Sequence, residues 1–206
     1  MSDVRPVIGF IGVGLMGHGM AKNLITKGYP LVVMGHRKRE PVEHLKSLGA
    51  REASSARELA MACDIVHLCV TGSPQVEALV RGPDGLLAGA DPAKRAGTII
   101  IDCSTSNPVS TLALAAEAQA RGVHFVDAPL SRTPKEAEAG TLDTMVGAAP
   151  EVFARIEPVL AQQGIDALRT RITILNRNRS VGCIERSAIG GPHNRLQAKC
   201  GRRCRP

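Results

Sequence analysis

The stretch IGFIGVGLMGHGMAKNL, residues 8–24, decides how the rest of the chain is read. Its first four residues are apolar and strand-like. Gly12, Gly14 and Gly17 then make a G-x-G-x-x-G spacing, and a helical pattern follows as far as Lys27-Gly28, a good C-terminal stop. The spacing means something only where a strand enters it and a helix leaves it, as here. There Gly12 permits a tight turn, Gly14 lets the backbone approach a pyrophosphate, and Gly17 lets helix and strand pack closely. The helix N-terminus adds unpaired N–H groups and a partial positive charge. Gly12, Val13, Gly14, Leu15, Met16 and Gly17 are therefore candidate cofactor-binding residues. The alternative for the same residues is a tight strand–helix turn with no ligand.

Working outward, β-branched runs alternate with helical patterns. Strands are expected at 31–34 (LVVM), 64–70 (DIVHLCV), 98–104 (TIIIDCS) and 122–129 (GVHFVDAP). Helices are expected at 40–48, 74–81, 107–121 and around 150–162. Continuous apolar strands separated by helices indicate a parallel sheet covered on both faces. The expected fold is α/β, a doubly wound, mostly parallel, Rossmann-like sheet over residues 1–163. From 164 to 206 the periodicity stops and Arg, Cys, Gly and Pro rise together, so an irregular tail is expected there.

Charge divides at the same place. The chain carries a net charge of +7 over 206 residues, but residues 165–206 alone hold +8 and the body is close to neutral. Such a tail would hold phosphate electrostatically. It has no aromatic side chain on which bases could stack and no nucleic-acid motif, so nucleic acid is not the expected partner. Cys63, Cys69 and Cys103 lie in apolar runs and read as core residues. Cys200 and Cys204, with His193, are at most half a zinc site, so no metal is expected. No run of 18 apolar residues and no signal-like N-terminus occur, so the expectation is a cytoplasmic protein with no membrane partner.

An NAD site would place an acid at the end of the second strand. Here VVMGHRKRE has Arg37, Lys38 and Arg39 beside His36 and no acid before Glu40. A cationic cluster suits the 2′-phosphate of NADP, so Arg37 and Lys38 join the candidate set and NADP is favoured over NAD. A solvated basic helix start is the bland alternative.

Four blocks carry a family resemblance: GFIGVGLMGHGMAKNL (9–24), LCVTGSPQVEALV (68–80), IIDCSTSNP (100–108) and VDAPLSRTPKEAEAGTLDTMVGA (126–148). Together they resemble the β-hydroxyacid dehydrogenases, the group of 3-hydroxyisobutyrate dehydrogenase and tartronate semialdehyde reductase. They are also similar to the first domain of 6-phosphogluconate dehydrogenase. The resemblance implies an NADP-binding domain followed by an all-helical one. It implies an oxidoreductase that moves a hydride between nicotinamide and a small 3-hydroxy acid, and it leaves a homo-oligomer open. It places Thr105, after Ser104, by the nicotinamide; Cys69, Val70 and Thr71 against the cofactor; and Ser131 on the substrate carboxylate. Read from the residues alone, Ser131 and Thr133 are ordinary loop hydroxyls.

The chain also departs from the family pattern. Two glycines expected after the serine are Arg132 and Thr133, and a third is Glu136. Arg132 either clamps a carboxylate or points to solvent. The family's general acid/base, a lysine shortly after the helix at 150–162, has no match, since Lys199 lacks the surrounding motif. The tail reads like a GC-rich coding region out of frame. The expectation is a truncated or frameshifted product in which turnover is lost or severely reduced, with a non-catalytic NADP-binding module as the alternative.

Overall fold

The computed structural model describes residues 5–90 and 97–170. Strand β1 (Ile8–Ile11) is central. It pairs in parallel with β2 (Leu31–Met34) on one side and β4 (Ile65–Leu68) on the other. Beyond β2 lies β3 (Arg51–Ala53), and beyond β4 lie β5 (Ile99–Asp102) and β6 (His124–Asp127), all parallel. The order β3-β2-β1-β4-β5-β6 puts a switch point between β1 and β4, where connections leave in opposite directions and open a crevice at the strands' carboxyl ends.

The sheet sits between two apolar layers because β1, β4 and β5 are buried at every residue. Ile8, Phe10, Ile65, Ile99 and Ile101 point to one face, under α1 (Gly17–Thr26), α2 (Glu40–Ser47) and α8 (Pro150–Gln162). Ile11, Val66, Leu68 and Ile100 point to the other, under α3 (Ala56–Ala62), α4 (Ser73–Val80), α5 (Leu86–Gly89) and α6 (Pro108–Gln119). With so few aromatic residues, the core is packed from branched aliphatics. Local chemistry sets the helix ends. Gly28 follows α1 at φ +81°, Ser55 caps α3, and Asn107 caps α6 through Val109 N–H at 2.9 Å.

After β6 the chain breaks at Ala128-Pro129 and resumes as β7 (Leu130–Ser131). Both β6 and β7 pair antiparallel with β8 (Leu142–Gly147) in one continuous register: Asp127 opposite Gly147, Leu130 opposite Thr144, Ser131 opposite Asp143. They are one strand interrupted by a proline, and the short helix α7 (Pro134–Ala139) fills the turn between β7 and β8.

The irregular tail expected from 164 is corrected at its start. Residues Ile165–Thr170 form β9, parallel to β8 through six paired positions. In this edge strand, reading IDALRT, Ile165 is buried and Ala167 packs partly against the core, an alternation too faint to separate from coil. Cys183, His193, Lys199, Cys200, Cys204 and the out-of-frame reading lie outside the described residues. Among the described residues no group of side chains could hold a metal and no helix is long and apolar enough to cross a membrane.

Candidate dinucleotide site

The three glycines of the first loop are required for different reasons. Gly12 leaves β1 at φ +95°, and a Cβ there would overlap the Cys69 carbonyl. A Cβ on Gly17 would overlap the Gly12 carbonyl and meet the Phe10 ring at 2.8 Å. The fold itself therefore demands both. Gly14 is exposed, and a Cβ there would meet no protein atom within 4 Å. Protein packing does not account for Gly14, whereas the close approach of a ligand to its backbone would. Val13 is buried and Leu15 is 82% exposed beside it. Met16 stands at the N-cap of α1, where no side chain caps the helix and no acid occupies the first turn. That start carries the partial positive charge of unpaired N–H groups, so these residues fit a pyrophosphate.

The loops after β4 and β5 close on this one. The methyl Cγ1 of Val70 lies 3.0 Å from where a Gly12 Cβ would stand, and Val70 N–H donates to Ser104 Oγ at 3.0 Å. Thr105 follows, exposed, with its carbonyl facing Gly72 at 3.5 Å from a notional Cβ. Asp102 organises this corner. It is fully buried, and its carboxylate accepts Ser104 N–H at 2.9 Å and Ser106 Oγ–H at 2.7 Å. Asp127 occupies the matching position on β6. Burial, and then the neighbouring Asp102 charge, push its carboxyl up to about 6.

At the end of β2, Arg37 and Lys38 are exposed and make no ion pair among the described residues. Arg39, grouped with them by sequence, is engaged elsewhere. Its Nη1 donates to Glu52 Oε1 at 2.6 Å, and its Nη2 donates to Glu52 Oε2 at 2.8 Å and Glu43 Oε1 at 2.7 Å. The guanidinium holds the Glu52 carboxyl down to about 2.

The block expected to meet substrate lies on β7 and α7. Ser131 is exposed, and its hydroxyl donates to the Asp143 carbonyl at 3.1 Å. Arg132 takes φ +79°, the only positive φ at a non-glycine among the described residues, and its Nε donates to Asp143 Oδ2 at 2.6 Å. A left-handed backbone costs a residue with a Cβ about 1–2 kcal/mol, so the position retains the conformation for which glycine is suited. Thr133 and Glu136, the other departures, form a capping box: Thr133 N–H donates to Glu136 Oε2 at 3.1 Å, as does its hydroxyl. They fix the start of α7.

Residues 7–174 match the family model described as the NAD binding domain of 6-phosphogluconate dehydrogenase. The chain belongs to this family. Within it, the chain is 40% identical over 159 residues to 2-(hydroxymethyl)glutarate dehydrogenase of Eubacterium barkeri, covering 77% of this chain and 51% of that protein. It is 39% identical over 157 residues to the NAD-dependent L-serine dehydrogenase of Pseudomonas aeruginosa, covering 76% and 51%. The chain thus spans about half the length of the curated relatives it matches. Among solved structures, Mycobacterium tuberculosis 3-hydroxyisobutyrate dehydrogenase with L-serine superposes with a TM-score of 0.71 at 29% identity, covering 81% of this chain and 55% of that one. Psf3 in complex with NADP+ and 2-OPP superposes at 0.72 and 28% identity, covering 81% and 57%.

In this member of the family the glycine loop, Val70 and Thr105 converge at the carboxyl edge of the sheet. Arg37 and Lys38 stand at the neighbouring strand end, and Ser131 sits on the interrupted strand β6–β7. Sequence reasoning missed Asp102 and Asp127. Their signal was available: each is an acid closing an apolar strand, in IIID and HFVD.

Proposed function

We propose that this chain is the nucleotide-binding part of a 3-hydroxy acid dehydrogenase and that it takes NADP in preference to NAD. The observation that carries the reading is the contrast within the glycine loop. Gly12 and Gly17 are explained by packing, while Gly14 is left bare where a diphosphate would meet the start of α1. Arg37 and Lys38, exposed and unpaired by acids among the described residues, supply the charge that favours a 2′-phosphate. When bound, the cofactor supplies the hydride exchange. Gly12 to Gly17 would hold its diphosphate, Val70 would line the cofactor, Thr105 would lie by its nicotinamide, and Ser131 would meet the carboxylate of a small hydroxy acid.

A second reading, a binding module without turnover, is favoured by one specific arrangement. The Ser131 hydroxyl and the Arg132 guanidinium are both directed at Asp143 rather than outward. Among the described residues none is assigned to take the hydroxyl proton. Fluorescence titration tests what the two readings share: NADPH should bind at least about tenfold more tightly than NADH, as one extra charge-assisted hydrogen bond provides. Folded protein that binds neither would remove both readings. Oxidation of a 3-hydroxy acid with NADP+ would then select the dehydrogenase, and binding without oxidation the module.

A further inference from the structure

Glu52 lies opposite Val33 in the β2–β3 register, so its side chain leaves the sheet on the face that Val33 uses. A Cβ built on Gly35, the first residue past β2, would stand 2.7 Å from Glu52 Oε1 and would overlap Arg39 Nη1. A carboxylate therefore does reach the end of β2, although none is encoded there: it arrives from the next strand. A bare carboxylate at this place accepts hydrogen bonds from ribose hydroxyls and repels a 2′-phosphate. This one is not bare. Arg39 grips both oxygens as a planar fork, and Lys46 Nζ lies 3.3 Å from Oε2. Glu43 holds the far side of Arg39 and also contacts Lys46, which keeps the fork in place.

We propose that the Arg39–Glu52 pair is a masked ribose acid that sets cofactor choice: Arg39 touches no phosphate itself, but cancels the Glu52 carboxylate so that Arg37 and Lys38 can hold one. The inference rests on the NADP reading given above. Arg39 is a positioning residue and Glu52 the specificity element it silences. Removing Arg39 unmasks an acid, and removing the acid as well makes the mask unnecessary.

The test is a double-mutant cycle on the full chain, with dissociation constants for NADPH and NADH read by fluorescence. Arg39→Gln should weaken NADPH on the order of tenfold and leave NADH unchanged or tighter. Glu52→Gln alone should not weaken NADPH. Arg39→Gln with Glu52→Gln should bring NADPH back to within about threefold of the unmutated chain, a remainder small beside the tenfold loss. A double variant as weak as Arg39→Gln would overturn the proposal, because Arg39 would then contact the phosphate directly. So would an Arg39→Gln variant whose NADPH-to-NADH ratio does not move. If the unmutated chain shows no preference for NADPH, the NADP reading fails by itself. The mask still requires Arg39→Gln to shift the ratio toward NADH and Glu52→Gln to reverse that shift. Arg39 is exposed and Glu52 partly buried in a bidentate pair that contributes to stability, so circular dichroism is used to verify that each variant is folded.

Discussion

Asp127 shows how one side chain registers its surroundings. Its folded carboxyl titrates near 6, above the usual 3.8, because burial and then Asp102 disfavour the charge. A raised carboxyl pKa means that the folded chain keeps a proton that the unfolded chain gives up. Stability conferred at this position is therefore full at low pH and is lost as pH rises from about 4 through 6. Asp127→Asn should stabilise the chain by roughly 1 kcal/mol at pH 8, a figure reduced for partial contact with water, and by nothing near pH 4. Urea unfolding at the two pH values checks this, and an equal effect at both would mean that the charge is not what Asp127 contributes. Neither Asp127 nor Asp102 was legible as a coupled pair in the sequence. They are 25 residues apart, and only the parallel pairing of β5 with β6 brings them level. The pairing of Arg39 is not legible for the same reason, since its partner Glu52 is assigned by a strand pairing rather than by neighbours in the chain.

At the scale of elements the sequence was more informative. The strand–glycine–helix unit at the start, the helix stop at Lys27-Gly28 and the buried runs of β4 and β5 are all local signals, and the fold follows them. The weak elements were β3, β7 and β9, each short or half-polar, whose existence depends on a neighbour to pair with. The α1 entry also gives an experiment that separates packing from binding. Gly17→Ala should cost roughly 3 kcal/mol, since its Cβ has to displace backbone. Gly14→Ala should leave the melting temperature within a degree or two, because its Cβ meets nothing, yet weaken NADPH on the order of tenfold or more by standing where the diphosphate approaches. A Gly14→Ala variant that binds normally would mean that the ligand does not sit over this residue.

For the molecule as a whole, the two apolar layers meet the sheet on opposite faces, and His67 is the polar group in the middle of one of them. It is fully buried on β4, stacked on Phe10 with ring centroids 5.4 Å apart, and 2.9 Å from the Gln163 amide nitrogen at the end of α8. Burial lowers its pKa to about 3. A depressed histidine contributes stability that is intact above about 6.5 and is lost as pH falls, by about 1.4 kcal/mol per unit down to its folded pKa. Between pH 4 and 6 this opposes the Asp127 effect, so the unmutated chain should have a shallow acid profile there. His67→Gln keeps a hydrogen-bonding partner for Gln163 and should lose less stability than the unmutated chain between pH 6.5 and 5. Parallel slopes for the two proteins would show that His67 is not the group being titrated.

The amide of Asn23, on the helix that follows the glycine loop, donates to the Ala137 carbonyl at 3.0 Å and the Gln163 carbonyl at 3.3 Å. Lys27, one turn further on, reaches the Gln162 carbonyl at 2.7 Å. These contacts span well over a hundred residues of chain, so during synthesis the helix after the glycine loop emerges long before the carbonyls that hold it. A nascent chain extended only as far as β6 would already carry every glycine of the loop and still lack the clasp that holds its helix. Competence to bind a nucleotide would then wait until the stretch just before β9 has left the ribosome, and the growing chain would be exposed to misfolding until then.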